Sequence, residues 1–82
     1  MKKFSISYDL DKPGQDYSRL TNRIKALGGT RILLSQWFIS SNSTALNIAN
    51  DLIKYMDKND RLFVTDMNDY AWYNTLAEVK AA

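Results

Sequence analysis

From Phe4 to Asp11 the chain reads Phe-Ser-Ile-Ser-Tyr-Asp-Leu-Asp, with apolar and polar residues alternating without a break. Successive side chains on a strand face opposite ways, so a period of two predicts a half-buried strand. Phe4, Ile6, Tyr8 and Leu10 are assigned to a covered face, and Ser5, Ser7, Asp9 and Asp11 to the other. The strand must stop at Lys12-Pro13-Gly14, because proline lacks an amide donor and glycine favours a turn. Asp9 and Asp11 are thereby delivered to an accessible strand exit, where a site is expected.

The rest of the chain alternates between the two periodicities. Asp16 to Leu27 carries Tyr17, Leu20, Ile24 and Leu27 at helical spacing, with Arg19, Arg23 and Lys25 on the opposite face and Gly28-Gly29 as a stop signal. Thr30 to Ser41 is rich in β-branched, leucine and aromatic residues. It fits either two short strands meeting near Ser35-Gln36 or one long strand bulged at Ser35. Ser41-Asn42-Ser43-Thr44 offers helix caps, followed by an apolar stripe of Ala45, Ile48, Ala49, Leu52, Ile53 and Met56. Asn42-Ser43-Thr44 also matches a glycosylation sequon, but capping accounts for it. Arg61 to Met67 reads as a last strand built on Leu62, Phe63 and Val64.

Strand, helix, strand, strand, helix, strand is the ferredoxin-like βαββαβ order, an α+β sandwich with two helices on one face of a four-stranded antiparallel sheet. The other sheet face is expected to be open. The 82 residues make a single domain, with residues 68–82 a tail. That tail holds Tyr70, Trp72, Tyr73 and Leu76, too much apolar surface for solvent, so it is expected to pack on the domain or on a dimer partner.

Composition narrows the chemistry. There is no histidine and no cysteine. Histidine-based acid–base catalysis, Ser-His-Asp triads, disulfides and thiolate metal sites are therefore excluded. The lack of cysteine suits a reducing cytoplasm. Lys2-Lys3 leads into an alternating strand and not into a continuous apolar run, so neither a signal peptide nor a membrane span is expected. A formal charge of +2, spread along the chain, permits nucleic-acid binding without demanding it. Gly14 and Gly28-Gly29 are isolated turn signals, so P-loop nucleotide hydrolysis is also out.

Tyr8-Asp9 at the end of the first strand, a glycine-closed first helix and then Ser35-Gln36-Trp37-Phe38 resemble the CRISPR-associated protein 2 family and the similar virulence-associated protein D group. The resemblance covers roughly Phe4 to Met67. It implies a homodimer that cleaves RNA or DNA with magnesium or manganese, each subunit contributing its strand-one aspartate, here Asp9, as metal ligand and catalytic residue. Ser35-Gln36-Trp37-Phe38-Ile39-Ser40 stands where the family more often has Ser-Val-Phe-Glu-Gly, so the acidic residue and the glycine are missing. A non-catalytic dimeric adaptor that binds a protein partner is the alternative reading.

For phosphate contacts the candidates are Lys12 and Arg31, near Asp9 in the inferred layout, and Arg19 and Arg23 on the first helix. Asp11 and Asp66 read as solubilising charges at strand ends. Trp37 and Trp72 are expected in a core or an interface before they are expected to stack on bases.

Overall fold

The alternation in the first strand sorts the molecule into layers. The computed structural model describes residues 1–11 and 17–79; the expected turn at Lys12-Pro13-Gly14 and the helix start at Asp16 lie outside them. In order, the elements are β1 (Lys2–Asp9), α1 (Ser18–Ala26), β2 (Thr30–Leu33), β3 (Gln36–Ser41), α2 (Ala45–Ile53) and β4 (Arg61–Asp66). The four strands form one sheet in the order β2-β3-β1-β4, antiparallel throughout. Each helix thus links two strands separated by a third, giving the ferredoxin-like fold.

Phe4, Ile6 and Tyr8 of β1 are buried in one cluster with Trp37 and Ile39 of β3, Leu20 and Ile24 of α1, and Ile48 and Leu52 of α2. Both helices therefore cover the same sheet face, as the two apolar stripes require. β1 ends at Asp9, two residues before the alternation does, and Leu10 is half-buried beside the core. α2 ends at Ile53, while Met56, beyond it, still packs against the cluster.

Local chemistry sets the boundaries. At the end of α1, Gly28 donates its amide to Lys25 C=O and Gly29 donates to Ile24 C=O, each at 2.9 Å, the paired bonds of a Schellman stop. Gly28 has φ +88°, which a side chain would strain, and a Cβ at Gly29 would fall 2.5 Å from Ile24 Cγ2. At the start of α2 the Thr44 hydroxyl accepts from Asn47 N–H at 3.1 Å, so this threonine does act as a cap. Residues 30–41 form the hairpin, turning at Leu34-Ser35, with its irregularity between Arg31 and Leu33 instead of at Ser35.

The core contains one polar contact of consequence. Trp37 Nε1–H donates to the Tyr8 hydroxyl at 3.0 Å with both residues buried, and the Arg31 guanidinium lies over the Trp37 ring, 4.8 Å from its centroid. Tyr8→Phe strands the indole donor, and chemical denaturation is expected to show a loss of about 1 to 3 kcal/mol.

The second sheet face is not left open. Beyond β4, Met67 N–H donates to Lys3 C=O, and Leu76 N–H donates to Ile32 C=O of β2, each at 2.9 Å. Since β4 and β2 are opposite edges of the sheet, the segment between these bonds straps from one edge to the other. It encloses a small cleft with Ile32, Gln36, Met67, Trp72 and Val79. Ile32 and Val79 are buried outside the main cluster, and Ser5 is buried with its Oγ accepting from Gln36 Nε2 at 2.6 Å. Asn74 makes the strap's tight bend at φ +54°, a conformation that asparagine tolerates better than most residues. The tail expected from residue 68 thus lies along its own sheet as far as Val79, with Trp72, Tyr73 and Leu76 still exposed. Among the described residues no helix is long and apolar enough to cross a membrane.

Candidate functional site

The strap leaves one end of the second face uncovered, and it is the end where β1 exits. A cleft of about 330 Å³ lies there, with Ser7 and Asp9 from β1, Leu33 and Ser35 from the β2–β3 hairpin, and Arg61 and Phe63 from β4 around it. The antiparallel register fixes this gathering: Asp9 stands opposite Arg61, and Ser7 lies between Gln36 on one side and Phe63 on the other. Tyr8 N–H donates to Ser35 C=O at 3.1 Å, which pins the hairpin turn against the strand exit. Asp9 and Arg61 are both exposed, so a carboxylate and a guanidinium of neighbouring strands share the cleft's mouth.

A second feature of this end is Asp60, just before β4. Its Oδ1 accepts from Asp11 N–H at 2.7 Å and from the Tyr17 hydroxyl at 3.1 Å, while Oδ2 accepts from Asp57 N–H at 2.8 Å. One carboxylate thus ties the strand exit and the approach to α1 to the α2–β4 connection. Asp11 contributes its backbone to this arrangement.

The other sequence candidates lie elsewhere. Arg23 forms a fork with Asp51 of α2, Nε to Oδ1 at 3.1 Å and an η nitrogen to Oδ2 at 2.7 Å. The Asp51 carboxylate, through these bonds and its charge, raises the guanidinium pKa above its ordinary value. This arginine clamps the two helices together. Arg19 lies over the Tyr55 ring at 5.6 Å from its centroid, and Arg31 covers Trp37 on the core side of the sheet. None of these three lines the Asp9 cleft. Lys12 lies outside the described residues. Asp66 stands opposite Phe4, toward the far end of β1 from Asp9. Trp37 is a core residue, and Trp72 is half exposed on the strap.

Asp9 and the serines offer only oxygen donors, which suit magnesium or manganese and not a soft metal. Among the described residues no group of three or more acidic, histidine or cysteine side chains is gathered. One copy of the cleft brings one strand-end carboxylate, Asp9, with Arg61 opposite it. A magnesium or manganese ion there would have one protein carboxylate and would draw its remaining ligands from water and substrate phosphate.

No protein-family model matches this sequence, and no solved structure matches the fold with significance.

Proposed function

We propose that the protein is a nucleic-acid-associated homodimer of the CRISPR-associated protein 2 type, and that the Asp9 cleft is where it engages RNA or DNA as a metal-dependent endonuclease. The observation that carries this reading is the pairing of Asp9 with Arg61 at the cleft's mouth. A guanidinium binds a phosphate through two parallel N–H bonds, and a carboxylate beside it supplies the charge that a divalent ion needs. Magnesium or manganese at Asp9 would supply a polarised phosphate and an activated water. Arg61 holds the backbone in register, and Ser7 and Ser35 line the floor on which it rests.

The apolar rim favours a second reading. Leu33 and Phe63, which line the same cleft, are exposed, as suits an adaptor docking on a protein partner.

Binding to a single-stranded oligonucleotide, followed across a salt series, separates the two. Arg61→Gln is expected to weaken binding uniformly across sequences and to lower the salt slope by about one. Magnesium or manganese is expected to raise the thermal midpoint of the unmodified protein, since an ion specific for the folded state stabilises it. Absence of any binding or cleavage across several RNA and DNA substrates and both metals would leave the adaptor reading in its place.

A further inference from the structure

β4 closes one edge of the sheet, and the register determines which of its backbone groups face away from it. Met67 N–H bonds Lys3 C=O, and bonded pairs recur at every second residue of an antiparallel ladder. Arg61, Phe63 and Thr65 therefore direct their backbone groups to β1, while the N–H and C=O groups of Leu62, Val64 and Asp66 point outward. β2, the other edge, already receives Leu76 from the strap, and no backbone group among the described residues bonds the outer side of β4. The charges on this edge, Arg61 and Asp66, stand only at its two ends. Its six residues contain neither proline nor lysine, and they pair with β1 without a bulge.

We propose that β4 pairs antiparallel with β4 of a second copy of this chain about a two-fold axis centred on Phe63, fusing the two sheets into one. The proposal rests on the homodimer suggested above and supplies its interface. In a ladder of this kind outward-facing residues must meet outward-facing residues, which restricts the register to axes passing through a residue. An axis through Val64 would set Leu62 against Asp66 of the second copy, an apolar residue against a charge. The axis through Phe63 sets Leu62 against Val64 twice and Phe63 against its own twin, with Arg61 meeting Thr65 and, at the ends, Asp66 facing Asp60 of the partner subunit, a like-charge pair that offsets part of the gain. Only in that register are all three apolar residues of the strand set against apolar residues. It also gives a partner to Phe63, which is 67% exposed in the single chain, and further cover to Leu62 and Val64, which are half-buried. Face-to-face closure, by contrast, would have to displace the strap. Both clefts open on the same face of the fused sheet, with their Asp9 residues on the order of 20 Å apart by strand spacing and rise, too far for the two carboxylates to share one ion.

The chain has no cysteine, so single-cysteine variants read the seam directly. Opposed residues of a non-bonded antiparallel pair have Cα atoms about 4.5 Å apart, within disulfide range. Phe63→Cys is therefore expected to give a covalent dimer under mild oxidation, and Thr65→Cys is expected to remain uncrosslinked. Phe63→Lys, at a position exposed in the single chain, is expected to keep the native circular dichroism spectrum and to weaken dimerisation at least about tenfold by sedimentation. Sedimentation of the unmodified protein as monomer at high micromolar concentration would overturn both the seam and the homodimer. A dimer that withstands Phe63→Lys, or that crosslinks through Tyr73→Cys on the strap and not through Phe63→Cys, would overturn the seam and leave the homodimer standing.

Discussion

Ile6→Ala and Leu52→Ala are each expected to lower the unfolding free energy by about 2 to 5 kcal/mol, the cost of removing buried aliphatic volume from a core that relaxes only in part. Ile6 sits in the middle of the central strand between Trp37 and Val64, and Leu52 comes from the last turn of α2 in the same cluster; both are 0% exposed. Domains of this size are stable by roughly 5 to 15 kcal/mol, so either change removes a large fraction of the total. Equilibrium denaturation should show a lower midpoint with an unchanged slope. Leu46→Ala on the exposed side of α2, where the leucine is 69% exposed, is the control, expected within about 0.5 kcal/mol of the parent. An unchanged midpoint for Ile6→Ala or Leu52→Ala would mean that its element is turned the other way. Because both residues pack in one cluster, the double variant should depart from the sum of the singles.

These two residues were legible in the sequence because burial on a strand or helix follows a local period. The same holds for Gly28-Gly29, whose bonds reach back only to Lys25 and Ile24, and for Thr44, which caps an amide three residues ahead. Short-range signals of this kind fix element order, and with it the ferredoxin-like fold. What the sequence did not disclose depends on register. Arg61 is an ordinary charge at a strand start until Asp9 is found opposite it, and only the pairing of β1 with β4, more than fifty positions apart, makes them neighbours. Asp60 reads as one more polar residue of Asp57-Lys58-Asn59-Asp60; a turn-forming aspartate ahead of a strand was the one available sign of its role, and its partners Asp11 and Tyr17 are remote in the chain. The arginines of α1 point the other way. Their spacing placed them on a solvated helix face, yet Arg23 reaches across to Asp51 and Arg19 lies over Tyr55, because long side chains on adjacent helices find partners that no single-helix pattern contains. The strap was foreshadowed by its aromatic content, but irregular chain has no period from which a path could be read.

If the protein is the metal-dependent nuclease proposed above, Asp9→Asn is expected to abolish cleavage while leaving the fold, the proposed dimer and nucleic-acid binding in place. Asparagine keeps the size and much of the hydrogen-bonding capacity of aspartate, and the residue is an exposed strand end outside the core cluster, so the backbone has no reason to move. What changes is charge. A neutral amide does not draw a hydrated divalent cation out of water, and no histidine or cysteine is present to replace the lost ligand. Lewis-acid stabilisation of a phosphoryl transition state is worth several kcal/mol, so its loss corresponds to a fall of roughly 100-fold or more in rate. Binding should move the other way. Arg61 keeps its charge, and removing a carboxylate beside it lowers the repulsion of phosphates, so the dissociation constant for an oligonucleotide in the absence of metal should be unchanged or smaller. Arg61→Gln is expected to give the reverse signature, weaker binding with the Asp9 charge intact. Measuring cleavage under single turnover and binding in chelator, for both variants side by side, tests this opposition. Cleavage by purified Asp9→Asn protein at the parental rate would place the activity in another site, and loss of binding in Asp9→Asn would show that the carboxylate anchors the chain's contacts and not an ion.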